Sequence, residues 1–225
     1  GVFNNRNLPD IEGAEIVQVE STGNAIPSKD FSGTWRASVN NFPLFEPPLQ
    51  WPLTELGRQQ ASNYDQNDDP LNRCIMRGIP RTIFAVSSSK WERFDSHIRI
   101  TKDLDNTVRT VWLDGRDQPG DWQPDRFGFS VGKVQGNALI VETQGFSPDK
   151  WGSAAGLDSS DKKIVTERYE LSQDGLEMAV SYTISDPIYL TESATVSGNY
   201  RMVPDHIFAD IDCSIESSTM HLLFK

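Results

Sequence analysis

The stretch Phe127-Gly-Phe-Ser-Val-Gly-Lys-Val-Gln-Gly-Asn-Ala-Leu-Ile-Val-Glu-Thr-Gln-Gly-Phe146 decides the fold. It contains Gly128-Phe-Ser130-Val-Gly132, the G-x-S-x-G pattern of a serine hydrolase. A nucleophile elbow needs a strand before the serine and a helix after it. Here Ser130 is followed by Val-Gly-Lys-Val, then by Gln135-Gly-Asn137, then by the strand-forming run Ala138-Leu-Ile-Val-Glu-Thr143. That is two strands joined by a tight turn. The order Ser130, then Asp186 or Asp205, then His206 or His221 permits a triad, but order alone carries little. Ser130 therefore reads as a small wall hydroxyl between two glycines.

The same strand-and-turn pattern extends on both sides. Upstream, Ser32-Gly-Thr-Trp-Arg-Ala-Ser-Val39, Arg81–Val86, Phe94–Thr101 and Thr107–Leu113 read as strands. Downstream, Lys163–Leu171 and Leu176–Asp186 form the strongest hairpin, joined by Ser172-Gln-Asp-Gly175. On its second strand Leu176, Met178, Val180, Tyr182 and Ile184 share one face and polar residues the other, the signature of a half-buried antiparallel strand. Tyr189–Met202 and His206–Ser214 supply the last strands. Leu53–Ser62 is the one clear helix, with Thr54 as its cap and Gly57 as a weak point. The Pro-rich run Phe42–Pro52 is too proline-dense for a central strand. Tyr64–Pro70, Asp114–Asp125 and the Gly/Ser-rich Ser147–Asp161 read as loops. Residues 1–29 read as an N-terminal arm, and 30–225 as one domain.

About nine closely spaced strands, one helix and no βαβ rhythm predict an all-β fold, an antiparallel barrel in preference to a sandwich, because closure removes exposed edges. The chain of 225 residues can bury a substantial core, with six Trp and eleven Phe concentrating its apolar area. The formal net charge of −11 argues against nucleic acid and anionic membrane surfaces as partners. No apolar run approaches the ~20 residues that span a bilayer. The chain begins at Gly1 without Met, which leaves room for a removed leader. Oligomeric state is not legible.

Cys74 and Cys213 have no C-x-x-C spacing and no nearby His, so zinc is not expected. They are either one disulfide of an exported protein or two reduced, buried thiols. A bond between them stabilises by roughly 4–5 kcal/mol on the chain-entropy estimate. Asp65-Gln-Asn67-Asp-Asp69 resembles the start of a calcium loop but has Pro70 and Met76 where Gly and Glu are required. Asp114, Asp117, Asp121 and Asp125 match no recognised metal motif, and His97, His206 and His221 have no metal-site spacing. Neither a metal nor a cofactor is expected. Glu167-Arg168 and Asp114-Gly-Arg116 read first as structural ion pairs.

Gly33-Thr-Trp35 resembles the lipocalin G-x-W signature, which implies a Trp closing one barrel end against a late-strand Arg such as Arg168 or Arg201. More broadly, the chain resembles a large family of uncharacterised exported bacterial proteins. The resemblance rests on Asp30-Phe-Ser-Gly-Thr-Trp35, Pro52-Leu-Thr-Glu-Leu-Gly57, Asp69-Pro-Leu-Asn-Arg-Cys74 with Gly78-Ile-Pro-Arg81, and Leu113-Asp-Gly-Arg116. It continues through Gly128–Gly132, Gly136–Thr143, Thr166-Glu-Arg168 and Cys213. It implies a periplasmic or secreted β-barrel and favours the disulfide. The family usually carries His where Phe129 stands, Trp at Val134 and a further His near Ser159. These departures put histidine-based chemistry in doubt and imply a more apolar cavity near Phe129.

Three functions follow as expectations. The first is a barrel binding a small, partly apolar molecule: Trp112, Met178 and Tyr182 line the cavity, Arg81, Arg116 or Glu167 orients the ligand, and Phe129 and Ser130 contribute to the wall. The second is a cofactor-independent lyase, isomerase or cyclase with Glu167 or Asp186 as base and Tyr182 as acid. The third is a carbohydrate-binding sandwich, from the Trp count and acidity.

Overall fold

A computed structural model describes residues 28–38, 46–85, 87–103, 107–209 and 213–220. In chain order the elements are β1 (Gly33–Ser38), α1 (Glu55–Ser62), β2 (Ser88–Arg93), β3 (His97–Lys102), β4 (Val108–Trp112), β5 (Phe129–Gln135) and β6 (Ala138–Gln144). They continue with β7 (Asp149–Ala154), β8 (Leu157–Ser159), β9 (Ile164–Leu171), β10 (Glu177–Ser185), β11 (Ala194–Met202) and α2 (Ile215–Thr219). Nine strands close into a barrel in the order β1-β11-β10-β9-β6-β5-β4-β3-β2, with β2 pairing back onto β1. The fold is thus a barrel and not a sandwich. Eight of its junctions are antiparallel, but β4 and β5 run parallel through Val111↔Ser130 and Trp112↔Val131. This corrects the all-antiparallel expectation: the connection from 113 to 128 is long enough to carry the chain back and start β5 in the same direction as β4.

Alternation decides which side chains fill the interior. On β9 Val165, Glu167, Tyr169 and Leu171 are buried in turn, and on β10 Met178, Val180, Tyr182 and Ile184. The hairpin is in register as Glu167↔Tyr182 and Tyr169↔Val180. Trp35, Trp91, Ile98, Ile100, Val111, Leu139 and Val141 complete the apolar filling. Gly132 is required here, because a Cβ would lie 2.8 Å from the Val111 Cγ1 atom.

Several local expectations are revised. Arg81–Val86 is not a strand: Thr82 N donates to Gly78 O and Ile83 N to Pro80 O, forming a turn, while Val86 lies outside the described residues. The consecutive Ile83 and Phe84 of this segment are both buried, as is Ile79 before it, a pattern that alternation could not produce. The turn plugs the barrel mouth. The Tyr200 hydroxyl donates to Ile83 O, and Phe84 packs against Tyr182 and Tyr200 at 5.8 and 6.2 Å between ring centroids. Ser147–Asp161 is an ordered hairpin of β7 and β8, with Trp151, Ser153 and Leu157 buried. Its small residues serve close packing, since a Cβ at Gly152 would sit 2.1 Å from the Ser159 hydroxyl oxygen. Residues 206–209 are not strand, and 210–212 lie outside the described residues, as does most of the expected N-terminal arm.

α1 forms as expected, with the Thr54 side chain accepting from Gly57 N. Gly57 costs helix propensity, yet a Cβ there would meet Tyr189 O at 2.4 Å, so glycine lets the helix dock on the turn before β11. Cys74 and Cys213 are disulfide-bonded. The bond fastens α2 beside the 3-10 turn Pro70–Arg73, where Ser218 Oγ also donates to Asn72 O. No helix among the described residues is long and apolar enough to cross a membrane.

Candidate functional site

Among the described residues, one group of polar side chains lies inside the barrel and another beside its plugged mouth. Inside, Arg109 extends from β4 across the barrel. Its Nη1 and Nη2 donate to the two Glu167 carboxylate oxygens at 2.8 and 2.6 Å. Nε and Nη2 also donate to Ser130 Oγ at 3.1 and 3.0 Å, and Nη2 to Thr143 Oγ1 at 2.8 Å. The Tyr169 hydroxyl donates to Glu167 at 2.6 Å. Glu167 is 0% and Arg109 8% exposed. Burial pulls the guanidinium pKa down, but the facing carboxylate more than offsets this and the net shift is upward. Burial first, and then Glu167, push the Tyr169 phenol far up. The cluster is a fork-to-fork ion pair whose partners are saturated by one another. Beside it lies a space of about 20 Å³, lined by Arg109, Tyr169, Tyr200, Trp91 and the plug residues Ile79 and Ile83, with room for about one water.

The second region is a cleft of about 500 Å³ between the plug, the β7–β8 hairpin and the ends of β10 and β11. Its apolar walls include Pro48, Trp51, Pro52, Ala154, Ala194 and Val196. Its polar lining includes Arg77, Arg81, Ser153 and Tyr182, with Glu46 at the exposed rim. Arg81 is anchored from behind: Nη2 donates to Asp69 at 3.1 Å, and the guanidinium lies 5.5 Å from the Trp151 ring centroid. Trp151 is in turn stacked on Tyr64 at 5.3 Å. Asp69 is fixed by accepting from Leu71 N, so the failed calcium motif has a structural use. Burial pushes the Tyr182 pKa well up and the Arg81 charge draws it partly back, so the phenol stays a donor at neutral pH.

Between the two regions sits Lys163, 1% exposed. Its Nζ donates to Ile79 O at 2.8 Å and Gly152 O at 3.0 Å, and lies 4.1 Å from the Phe146 ring centroid. It ties the plug to the β7–β8 hairpin. Burial lowers its pKa to about 7, against the opposing pull of Asp149 and Asp186.

The residues singled out from the sequence separate into five places. Arg81 and Tyr182 line the cleft. Glu167 and Ser130 belong to the interior cluster, where Ser130 Oγ faces Arg109 and Thr143. Ser130 lies on a strand that is followed by another strand and not by a helix, and a Cβ at Gly128 or Gly132 would meet a neighbour at 2.8 Å. Met178 is fully buried in the core. Asp186 is buried outside the cleft and serves as a turn acceptor, taking hydrogen bonds from Ser160 N, Ser160 Oγ and Ile188 N.

The rest face away from both regions. Trp112 alternates outward from Val111, with the Arg116 guanidinium 3.6 Å from its ring centroid, and Arg116 pairs with Asp114. Phe129 points opposite to Ser130 and packs on Trp122 at 5.4 Å, so it does not make the interior more apolar. Trp35 is buried with its Nε1 donating to Phe31 O, while Arg168 and Arg201 are exposed on the outer wall, so the lipocalin Trp–Arg packing is not made. Neither expected base, Glu167 nor Asp186, lines the cleft that Tyr182 enters, although Glu167 is the cross-strand neighbour of Tyr182.

Sequence reading passed over Arg109, Arg77, Ser153 and Lys163. For Arg109 a signal existed: it alternates onto the same face as Val111, an arginine on an apolar face. No protein-family model matches the chain, and no curated protein matches it either.

Proposed function

We propose that this barrel binds a small, partly apolar molecule in the cleft beside its plugged mouth. The observation that carries the reading is the cleft's make-up. A space of about 500 Å³ is within the usual range for small-molecule sites, and its lining mixes apolar side chains with polar ones, among them Arg81, Ser153 and Tyr182. The barrel interior is filled and plugged, which directs a ligand to the cleft. The enzyme alternative finds less support, because Glu167 is held by Arg109, Tyr169 and Thr143. The barrel and the disulfide are what the resemblance to exported bacterial proteins implies, and both support extending that resemblance to location. Thiol labelling of protein taken from its own cells checks the location: a bonded pair is expected, and two free thiols would count against an oxidising compartment.

Fluorescence titration with N-phenyl-1-naphthylamine tests the site. The expected result is saturable, one-to-one binding that is lost in Ala194→Trp, which fills the cleft. No binding, or equal binding by the variant, overturns the reading.

A further inference from the structure

We propose that the ligand carries a carboxylate, seated between the Arg81 guanidinium, the Tyr182 hydroxyl and the Ser153 hydroxyl. This deepens the binding reading above and rests on it.

Three observations at one place point the same way. The first is Arg81, only 7% exposed along its side chain. Of its guanidinium nitrogens, only Nη2 is hydrogen-bonded among the described residues, to one Asp69 oxygen. Asp69 is shared, with Arg77 Nη2 3.9 Å from the same oxygen. A guanidinium presents five donors in a planar fork suited to a carboxylate, and here one edge is anchored while the remainder borders the cleft.

The second is Ser153. It is 0% exposed, lines the cleft, and its hydroxyl makes no hydrogen bond among the described residues. An unsatisfied buried hydroxyl carries a desolvation cost, which a ligand oxygen reaching it from the cleft would relieve. The third is Tyr182, whose buried phenol lines the cleft and likewise makes no hydrogen bond among the described residues.

Arg81 and Tyr182 both offer protons, and the Ser153 hydroxyl can offer one too. Their common partner is an acceptor, and the fixed positive charge selects an anionic one. Among the described residues, the one carboxylate on the cleft lining is Glu46, at the exposed rim. A planar carboxylate fits the open part of the fork and leaves the ligand's apolar part against Trp51, Pro52 and Val196. With the chain at −11 overall, long-range steering does not favour an anion, so the preference has to come from these short-range contacts.

The test is calorimetric titration of the full chain with 1-naphthylacetate and its neutral isostere 1-naphthylacetamide. Wild type is expected to bind the carboxylate at least about tenfold more tightly than the amide, as a charge-assisted fork demands. Arg81→Gln should bring the two affinities within about twofold, and Arg81→Lys should restore part of the difference. Ser153→Ala and Tyr182→Phe should each weaken the carboxylate by roughly three- to tenfold.

If Arg81→Gln fails to fold, Asp69→Asn serves instead. It leaves the guanidinium without its anion and should widen the preference for the carboxylate. Equal binding of the two probes by wild type, or a preference that survives Arg81→Gln or is unmoved by Asp69→Asn, overturns the proposal. If neither naphthyl probe binds while N-phenyl-1-naphthylamine does, the carboxylate is wrong and the cleft stands. If none of the three binds, both fall.

Discussion

The barrel interior and the cleft contain the same kinds of side chain in opposite conditions. Inside, Arg109, Glu167, Tyr169, Ser130 and Thr143 satisfy one another and leave room for about one water. In the cleft Arg81 has one carboxylate behind it, the Ser153 hydroxyl has no hydrogen-bond partner among the described residues, and Tyr182 is influenced by burial and the Arg81 charge alone. A closed polar network rigidifies a core, whereas an open one is a place to receive something. Residue type alone does not distinguish the two regions. Saturation does.

The comparison breaks hardest at Glu167. Glu167→Gln leaves Arg109 charged and unpaired in the barrel, so it should lower unfolding free energy by about 3–5 kcal/mol in denaturant titration. Replacing both partners by methionine should cost clearly less than the sum of the two single changes, because no orphaned charge remains. A single variant that unfolds like wild type would mean the pair is not the structural element described.

A smaller effect is expected at Lys163, which joins the two regions. Its pKa falls from 10.5 to about 7 on folding, so between these values the unfolded chain binds more protons than the folded one. Its contribution is therefore most unfavourable below pH 7 and improves as pH rises. Wild-type unfolding free energy should gain at most roughly 3 kcal/mol from this residue between pH 7 and 9.5. Lys163→Met should lack that gain, and parallel pH curves for the two proteins would refute the assignment.

The smallest change is expected at Tyr182. Losing a hydroxyl without a protein partner should shift stability by less than about 1 kcal/mol in Tyr182→Phe. A loss as large as that of Glu167→Gln would show the cleft to be as saturated as the interior.

Legibility in the sequence follows the same physical divide. The β5–β6 and β9–β10 hairpins are readable because strict alternation and glycine turns mark them. β2 is hidden by Ser88-Ser-Lys, which reads as loop, although Ser89 and Trp91 face inward in register with Lys102 and Ile100. β7 and β8 are hidden because close packing demanded Gly152 and Ser153, the residues that mimic a mobile loop. At the cleft, Arg81 and Tyr182 could be singled out by type, but their meeting with Ser153 needs the plug, the hairpin and β10 to converge. No local pattern encodes that. The same holds for Arg109, whose alternation places it inside but says nothing of Glu167 across the barrel.

The closure of β1 on β11 carries a consequence for synthesis. Residues 35–38 pair with residues 199–202, near the opposite end of the chain. Until β11 has been made, β1 and β10 each have an unpaired edge that invites association with other chains. Such long-range pairing is slow, because the loop must be closed before contacts compensate for it. Any sheet formed before β11 is in place is open and edge-exposed, and the pairing of β11 with both β1 and β10 is what converts it into a tube.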